Sequence, residues 1–221
     1  MDLPINPFQM CLAFGPLAFY LLAVGLVNLR RRPTLVSGTR DMAAMGAALF
    51  GLVMVGPMEL GFPESAALHM LGSLVWIPLL ILYGLCVVLI LLSLRPRLIV
   101  YNISIEELRH VLADVVADLD SEARWAGDSL FLPQLGVQLH LDPVARMRNV
   151  SLVSSGPRQN YLGWHKLHCR LATSIRKTRV ARNLRSIGLV LASLCIFALL
   201  TTLVVQDPQV TLQAMRDMFQ V

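Results

Sequence analysis

Long apolar stretches separated by polar segments dominate the pattern of this chain. There are four of them, at residues 8–29, 42–58, 68–94 and 186–205. An α-helix rises about 1.5 Å per residue, so about 20 residues cross the roughly 30 Å hydrocarbon layer of a membrane. The second stretch is near the short limit for a span, and the third is long enough to tilt. The pattern therefore predicts four transmembrane helices.

The largest polar segment, residues 95–183, has the alternating patterns of a small α+β domain. Ser104 and Glu107 have the spacing of a capping box, and apolar residues follow at the intervals of an amphipathic helix. These are Leu108, Val111, Leu112, Val115 and Leu119. Alternating apolar and polar positions predict strands at residues 98–101, 123–126, 129–132, 137–141 and 150–153. Pro143 is expected to end the fourth of these strands.

A long helix is predicted at residues 159–183, where four apolar residues recur at helical spacing. They are Trp164, Leu167, Leu171 and Ile175. Because no proline lies between this helix and the fourth apolar stretch, the helix is expected to continue unbroken into the membrane. Asp207 and Pro208 are residue types preferred at a helix start, so a short amphipathic helix is predicted on the outer membrane surface.

The predicted fold is an α-helical membrane protein with four transmembrane helices and a small cytoplasmic α+β domain inserted between helices three and four. Residues 1–94 form the three-helix membrane region. Residues 95–183 form the domain, which ends in a long basic helix, and residues 184–221 form the fourth membrane helix and the outer tail. With 56% hydrophobic and 15% charged residues, the composition agrees with such a protein.

The positive charges are distributed so unevenly that they predict the orientation in the membrane. Of the 19 Lys and Arg residues, all but Arg216 lie at residues 30–40 or 95–185. Basic residues are enriched in cytoplasmic segments, so both segments are expected inside and both termini outside. Orientation and the attraction of anionic lipid head groups account for the net charge of +5, so no nucleic-acid partner is predicted.

Basic residues lie next to the apolar stretches in two kinds of group. Short groups at residues 30–32 and 95–97 are interpreted as orientation signals. A larger group precedes the fourth membrane helix. On a continuous helix it would surround the axis and contact lipid head groups. This basic collar consists of Arg176, Lys177, Arg179, Arg182 and Arg185.

Small residues recur every four positions in the second apolar stretch, at Ala43, Ala47 and Gly51. Such a ridge lets two helix backbones approach closely in lipid. Packing within the chain, against the first or third membrane helix, is favoured over a homodimer interface. The following Gly56 and Pro57 are expected to end or kink the helix.

One group of residues has the spacing of metal ligands. His165, His168 and Cys169 stand at positions i, i+3 and i+4 of the predicted long helix, and their side chains suit zinc. Zinc takes four ligands, however, and no second histidine–cysteine pair is present in the sequence. A packed helix face is therefore the favoured interpretation, and no metal or cofactor is predicted.

Two further groups of ionisable residues have ordinary explanations. Glu59, Glu64 and His69 lie around the predicted outer loop, where water solvates them, rather than at a membrane centre. Five carboxylates near the end of the first domain helix fit a solvated surface better than a cation site. They are Asp114, Asp118, Asp120, Glu122 and Asp128. No signature of a nucleophile, a phosphate-binding loop or a metalloprotease is present, so no catalytic residue is predicted.

These observations favour a non-enzymatic membrane protein. It would be a scaffold, assembly or regulatory component that presents a cytoplasmic interaction domain to a protein partner at an anionic lipid bilayer. The alternative is a membrane-embedded enzyme or transporter component that acts on lipid or solute. In that case the outer ionisable residues or the histidine–cysteine group would contribute to its chemistry.

Overall fold

A computed structural model describes most of the chain, which divides into two compact units. The described residues are 7–61, 76–144, 147–157, 159–206, 208–209 and 211–213. The first unit, called the helical unit, consists of Met1–Ala23, Met42–Ser93 and Leu189–Val221. The second, called the sheet unit, consists of Val24–Asp41 and Leu94–Gly188.

Helices and strands alternate in a mixed order along the chain. The helices are α1 (Pro7–Leu29), α2 (Gly38–Gly61), α3 (Trp76–Ser93), α4 (Ile105–Leu119), α5 (Tyr161–Lys177) and α6 (Ile187–Gln206). The strands are β1 (Thr34–Ser37), β2 (Arg97–Tyr101), β3 (Arg124–Ala126), β4 (Ser129–Leu132), β5 (Val137–Val144) and β6 (Asn149–Ser154). By length and composition, three helical segments of the described chain can cross a membrane: Pro7–Leu29, Gly38–Val55 and Leu184–Gln206.

The helix α3 is apolar but shorter, with a continuous apolar segment at Ile77–Ser93. Its apolar side chains are exposed on more than one side. Examples on different sides are Leu80, Ile81, Leu82 and Ile90, which are all at least 41% exposed. Leucine and isoleucine on every side of a helix suit a hydrocarbon environment better than water.

Two contacts join α2 to other helices of the helical unit. A Cβ atom added to Gly51 of α2 would lie only 1.9 Å from the backbone oxygen of Leu12 in α1, so these two helices touch at their backbones. On another part of α2, the Tyr83 hydroxyl of α3 donates a hydrogen bond to the carbonyl of Gly46. Helix α2 therefore contacts both α1 and α3.

Helix α6 also contacts α1. The buried Ser193 hydroxyl of α6 donates a hydrogen bond to the carbonyl oxygen of Ala18 at 2.7 Å. Ala18 is itself fully buried. Such side-chain hydrogen bonds and small residues are typical of helix interfaces in lipid, where the hydrophobic effect does not drive helices together.

The sheet unit is built on an antiparallel sheet of six strands in the order β1-β2-β6-β5-β4-β3. Alternate residues of the strands point to one face, where α4 and α5 cover them. Leu98, Leu152 and Leu141 are neighbours on this face, since Leu152 pairs with Leu98 on one side and Leu141 on the other. This layer of helices on one face of a sheet confirms the predicted α+β arrangement and the predicted positions of β2 to β6.

The capping box is confirmed at the start of α4. The Ser104 hydroxyl accepts a hydrogen bond from the backbone N–H of Glu107, and the Glu107 carboxylate accepts one from the backbone N–H of Ser104. Leu108, Leu112 and Val115 are buried, as their spacing predicts. The amphipathic pattern therefore placed this helix and its core face correctly.

Strand β1 was not predicted. It comes from the loop after α1 and pairs with β2 from Thr34 opposite Tyr101 to Ser37 opposite Leu98. The strand has only four residues, and only Leu35 and Val36 among them are apolar, so its sequence resembles an ordinary loop. Its strand conformation depends on the hydrogen bonds that β2 supplies.

The expectation that Pro143 ends a strand is wrong. Strand β5 continues to Val144, and Pro143 pairs with Val150 of β6. On its other side β5 pairs with β4 only as far as His140, so Pro143 lies on a strand edge. A proline is tolerated there because no ladder hydrogen bond needs its missing N–H.

The prediction of an unbroken helix from residue 159 into the membrane is also wrong. Helix α5 ends at Lys177, and residues 178–183 are not helical. A single 3₁₀ turn at Leu184–Ser186 then leads into α6. Residues 178–186 are called the strap. Tertiary hydrogen bonds, described below, compete successfully with helix formation along it.

Other predictions for the membrane region have mixed outcomes. Helix α2 does not end at Gly56 and Pro57 but reaches Gly61. The outer loop with Glu64 and His69 lies outside the described residues, as does Asp207. The side chain of Glu59 and most of the predicted outer amphipathic helix are also outside the described part of the chain.

Candidate functional site

Two basic segments that are far apart in the sequence meet in the sheet unit. One follows α1 and includes Arg31, and the other is the strap. The Val180 N–H donates a hydrogen bond to the carbonyl oxygen of Arg31 at 3.0 Å. The Asn102 side-chain amide donates to the carbonyl oxygen of Arg30 at 2.5 Å. Two consecutive peptide groups of the first segment are therefore held in place.

The strap is anchored at three positions that recur every three residues. Val180, Asn183 and Ser186 are buried, whereas the residues between them are exposed. The Asn183 side-chain amide donates to the carbonyl oxygen of Met147 at 2.8 Å, and its side-chain oxygen accepts from the N–H of Arg185 at 3.2 Å. These contacts leave the arginines of the strap on its outer side.

The two segments line a cleft of ≈ 490 Å³, which is called the basic cleft. Its lining residues are Arg31, Arg32, Arg179, Val180, Ala181 and Arg182. The Val180 side chain belongs to the hydrophobic core, while the four arginines are exposed. The cleft therefore has an anchored backbone and four solvated guanidinium groups.

No carboxylate lines the basic cleft in the described part of the chain. The two ion pairs among the described residues join Arg109 to Asp128 and Arg148 to Glu107, so neither occupies a cleft arginine. Guanidinium groups keep their charge at any physiological pH. Four positive charges thus lie around one cleft, and an anion with several oxygens would complement them.

The structure divides the predicted basic collar. Arg179 and Arg182 line the basic cleft, whereas Arg176, Lys177 and Arg185 lie outside its lining. Arg176 and Lys177 belong to the last turn of α5, and Arg185 belongs to the 3₁₀ turn. All five side chains are exposed.

Arg31 and Arg32 were interpreted from the sequence only as an orientation signal. The structure places them opposite Arg179 and Arg182 across the basic cleft, so sequence reasoning missed them as members of a site. Their basic character was visible, but no local pattern pairs a loop at residue 31 with a segment at residue 180.

The histidine–cysteine group lies on α5. The Cys169 sulfur is 3.9 Å from Nδ1 of His165. Burial lowers the pKa of His168, and the positive charges of His165 and Arg40 lower it further. In the described chain no three His, Cys, Asp or Glu side chains are placed to hold a metal ion. The three residues therefore do not acquire a fourth ligand from the described part of the fold.

The carboxylates near the end of α4 have structural roles or face solvent. Asp120 is buried at 2% exposure and accepts hydrogen bonds from the backbone N–H groups of Glu122 at 3.0 Å and Gln134 at 2.9 Å. Asp128 forms its ion pair with Arg109. Asp114 and Asp118 are exposed. Asp120 therefore organises the loop after α4 through its two hydrogen bonds with the backbone.

The small-residue ridge of α2 is only partly used within the described structure. Gly51 is buried against α1, Ala43 is half-buried, and Ala47 is exposed. Gly46, which is not on the predicted ridge, makes the contact with α3 through Tyr83.

No protein-family model matches this chain, and neither a curated protein nor a solved structure matches it. The chemistry of the basic cleft and the connections of the sheet unit therefore carry the functional interpretation. Within the described residues, the cleft gathers four arginine side chains from two separate parts of the sequence.

Proposed function

We propose that this protein is a non-enzymatic membrane component with four transmembrane helices that presents the sheet unit to a protein partner on the cytoplasmic side. It acts as a scaffold, assembly or regulatory component. Both termini lie outside. The basic collar contacts the head groups of anionic lipids in the inner leaflet.

The observation that carries this proposal is the way the chain enters the sheet unit. The unit contains the C-terminal end of α1, the segment after it and the start of α2, all within Val24–Asp41. It also begins again at Leu94, directly after α3, and ends at Gly188, at the start of α6. One end of each long apolar helix is therefore joined to the same folded unit.

This connectivity supports four spans and a single orientation. If α1, α2 and α6 cross the membrane, then α3 must also cross it, because the chain leaves the sheet unit through α2 and returns to it through α3. The exposed apolar side chains of α3 support the same conclusion. The sheet unit carries 18 of the 19 Lys and Arg residues, which agrees with a cytoplasmic position.

A protein-binding role is supported by apolar exposure on the sheet unit itself. Tyr161 and Leu162 begin α5 and are 75% and 74% exposed. They line an open depression together with Gly136, Pro157, Gln159 and Asn160. Large apolar side chains that stay in water in a folded domain are typical of interaction surfaces.

The orientation is tested by labelling introduced cysteines in intact cells with a membrane-impermeant thiol reagent. The four native cysteines are first replaced, and single cysteines are placed at positions 34, 62, 128 and 210. Labelling is expected at 62 and 210, and at 34 and 128 only after the cells are opened. Labelling of position 128 from outside intact cells would contradict the proposed orientation.

The interaction role is tested by purification in a mild detergent. A stoichiometric protein should copurify with the wild type, and Tyr161→Ser with Leu162→Ser should reduce its recovery. Lys166→Gln with Arg170→Gln, on the same helix, is the control and should not. If the purified protein instead contains metal that is lost in the His165→Ala, Cys169→Ala variant, the non-enzymatic role is wrong.

A further inference from the structure

We infer that the basic cleft is a binding site for the phosphate group of an anionic phospholipid. This inference rests on the proposed membrane position of the sheet unit and defines the partner more closely. It differs from general attraction to a charged surface because it assigns binding to four named residues. Two of them, Arg31 and Arg32, lie outside the basic collar.

The chemistry of the cleft favours a phosphate. Guanidinium groups offer paired N–H donors whose spacing matches two oxygens of one phosphate. Among the residues that the structure describes, the lining contains four such groups and no carboxylate. Binding an anion reduces the mutual repulsion of the four charges, which a neutral ligand cannot do.

The cleft is held in shape by contacts that do not involve the guanidinium groups. The Val180–Arg31 backbone hydrogen bond joins its two sides, and the buried side chains of Val180 and Asn183 anchor the strap. The arginines therefore extend from backbone positions that are fixed before a ligand arrives. Such preorganisation lowers the entropy cost of binding.

The chain position of the cleft favours a lipid as the source of the phosphate. Arg31 follows the last residue of α1, Leu29, by two positions, and Arg182 precedes the first residue of α6, Ile187, by five. If α1 and α6 span the membrane as proposed, both sides of the cleft start at the level of the head groups. A phospholipid phosphate is the most abundant phosphate at that level.

The test measures binding of short-chain phosphatidylglycerol to the full-length protein in a neutral detergent. Thermal unfolding and native mass spectrometry both report the bound lipid. Saturable binding is expected for the wild type, with phosphatidylcholine binding much more weakly. The Arg31→Gln, Arg179→Gln variant should weaken phosphatidylglycerol binding at least about tenfold, because charge-assisted hydrogen bonds from both sides of the cleft are lost.

A matched control separates the cleft from the overall charge. Lys166→Gln with Arg170→Gln removes the same two charges from exposed positions on α5. This variant should bind phosphatidylglycerol within about twofold of the wild type, because these exposed charges do not line the cleft and are screened by salt. An equal loss of affinity in the cleft variant and the control would overturn the inference, since total charge would then govern binding.

A second variant keeps the charge of the cleft and changes only its geometry. Arg179→Lys with Arg182→Lys preserves the net charge. It should therefore fold even if the glutamine variant does not. It is expected to bind phosphatidylglycerol several-fold more weakly, because lysine cannot make the paired hydrogen bonds of guanidinium. Wild-type affinity in this variant would contradict a phosphate held by paired hydrogen bonds.

Adding inorganic phosphate tests whether the cleft binds the phosphate of a lipid or that of a soluble compound. Millimolar phosphate should neither stabilise the protein nor displace phosphatidylglycerol. If it binds as tightly as the lipid, the cleft serves a soluble phosphate compound and the lipid assignment is wrong. Cysteine labelling gives an independent result: failed lipid binding with the expected labelling rejects only the cleft assignment, whereas labelling of position 128 from outside rejects the proposed orientation.

Discussion

The backbone N–H of Val180 donates a hydrogen bond to the carbonyl oxygen of Arg31 at 3.0 Å. This one bond joins the segment that follows α1 to the strap that precedes α6. It brings Arg31 and Arg32, which the sequence analysis assigned to an orientation signal, close to Arg179 and Arg182 of the basic collar. The basic cleft exists because of this pairing, and the proposed lipid site depends on it.

The anchoring of the strap predicts that replacing Asn183 lowers the stability of the protein. In Asn183→Ala the partly buried carbonyl of Met147 loses its donor at 2.8 Å and the N–H of Arg185 loses its acceptor. The free energy of unfolding should fall by about 1–3 kcal/mol, the usual cost of leaving a buried polar group unpaired. Chemical unfolding in detergent measures it. Ala181→Ser, an exposed neighbour in the strap, should change stability little.

The close approach of α1 and α2 predicts that Gly51 cannot be enlarged. In Gly51→Ala the new Cβ would meet the backbone oxygen of Leu12 at 1.9 Å, which no side-chain movement relieves. We expect a loss of about 1–3 kcal/mol, typical of overpacking, seen as a lower thermal unfolding midpoint in detergent.

The control for this prediction is Gly84→Ala in α3. Among the described residues, no atom of another element lies within 4 Å of a Cβ built at Gly84, so the added methyl group is accommodated. Alanine also favours a helix by about 1 kcal/mol over glycine, so this variant should be neutral or slightly more stable. A Gly51 variant as stable as the Gly84 variant would show that α1 and α2 do not pack at this point.

The capping box predicts a pH dependence of stability below pH 4.5. Burial raises the pKa of Glu107, but the hydrogen bonds from Ser104 and the Arg148 guanidinium outweigh it, so the pKa lies below its usual value of 4.5. The ionised carboxylate therefore stabilises the fold fully above pH 4.5. This contribution is lost as the pH falls through the lowered pKa.

Thermal unfolding across this pH range measures the effect. Glu107→Gln should be less stable than the wild type at pH 7, and the difference should shrink as the pH falls below 4.5. Glu106→Gln alters the neighbouring exposed carboxylate and should keep the pH dependence of the wild type. A constant difference between wild type and Glu107→Gln from pH 7 to pH 3 would rule out the linkage.

The buried carboxylate Asp120 predicts a large loss of stability when it is replaced. Asp120→Ala leaves the N–H groups of Glu122 and Gln134 without their acceptor. The free energy of unfolding should fall by about 2–3 kcal/mol, since two hydrogen bonds to a charged group are lost. Asp118→Ala, at an exposed position, should stay within about 0.5 kcal/mol of the wild type. Equal stability of the two variants would contradict the structural role.

Local sequence patterns were sufficient to predict much of the secondary structure of the sheet unit. The capping residues and the apolar spacing after Ser104 placed α4, and alternation along residues 137–141 placed the buried face of β5. Each of these elements is specified by side chains within a few positions of one another. The elements that were missed have another origin: β1 needs its hydrogen bonds to β2, and the strap needs contacts with Arg31 and Met147.

The sequence by itself determined that the chain has long apolar segments suited to lipid, that its basic residues cluster outside them, and that an α+β unit lies between them. Composition and periodicity are local properties, so they can be read without a fold. Only the tertiary structure decided which basic residues meet. The helix expected through residue 180 ends at Lys177, because hydrogen bonds to Arg31 and Met147 stabilise an anchored strap there. That strap brings Arg179 and Arg182 to the same cleft as Arg31 and Arg32.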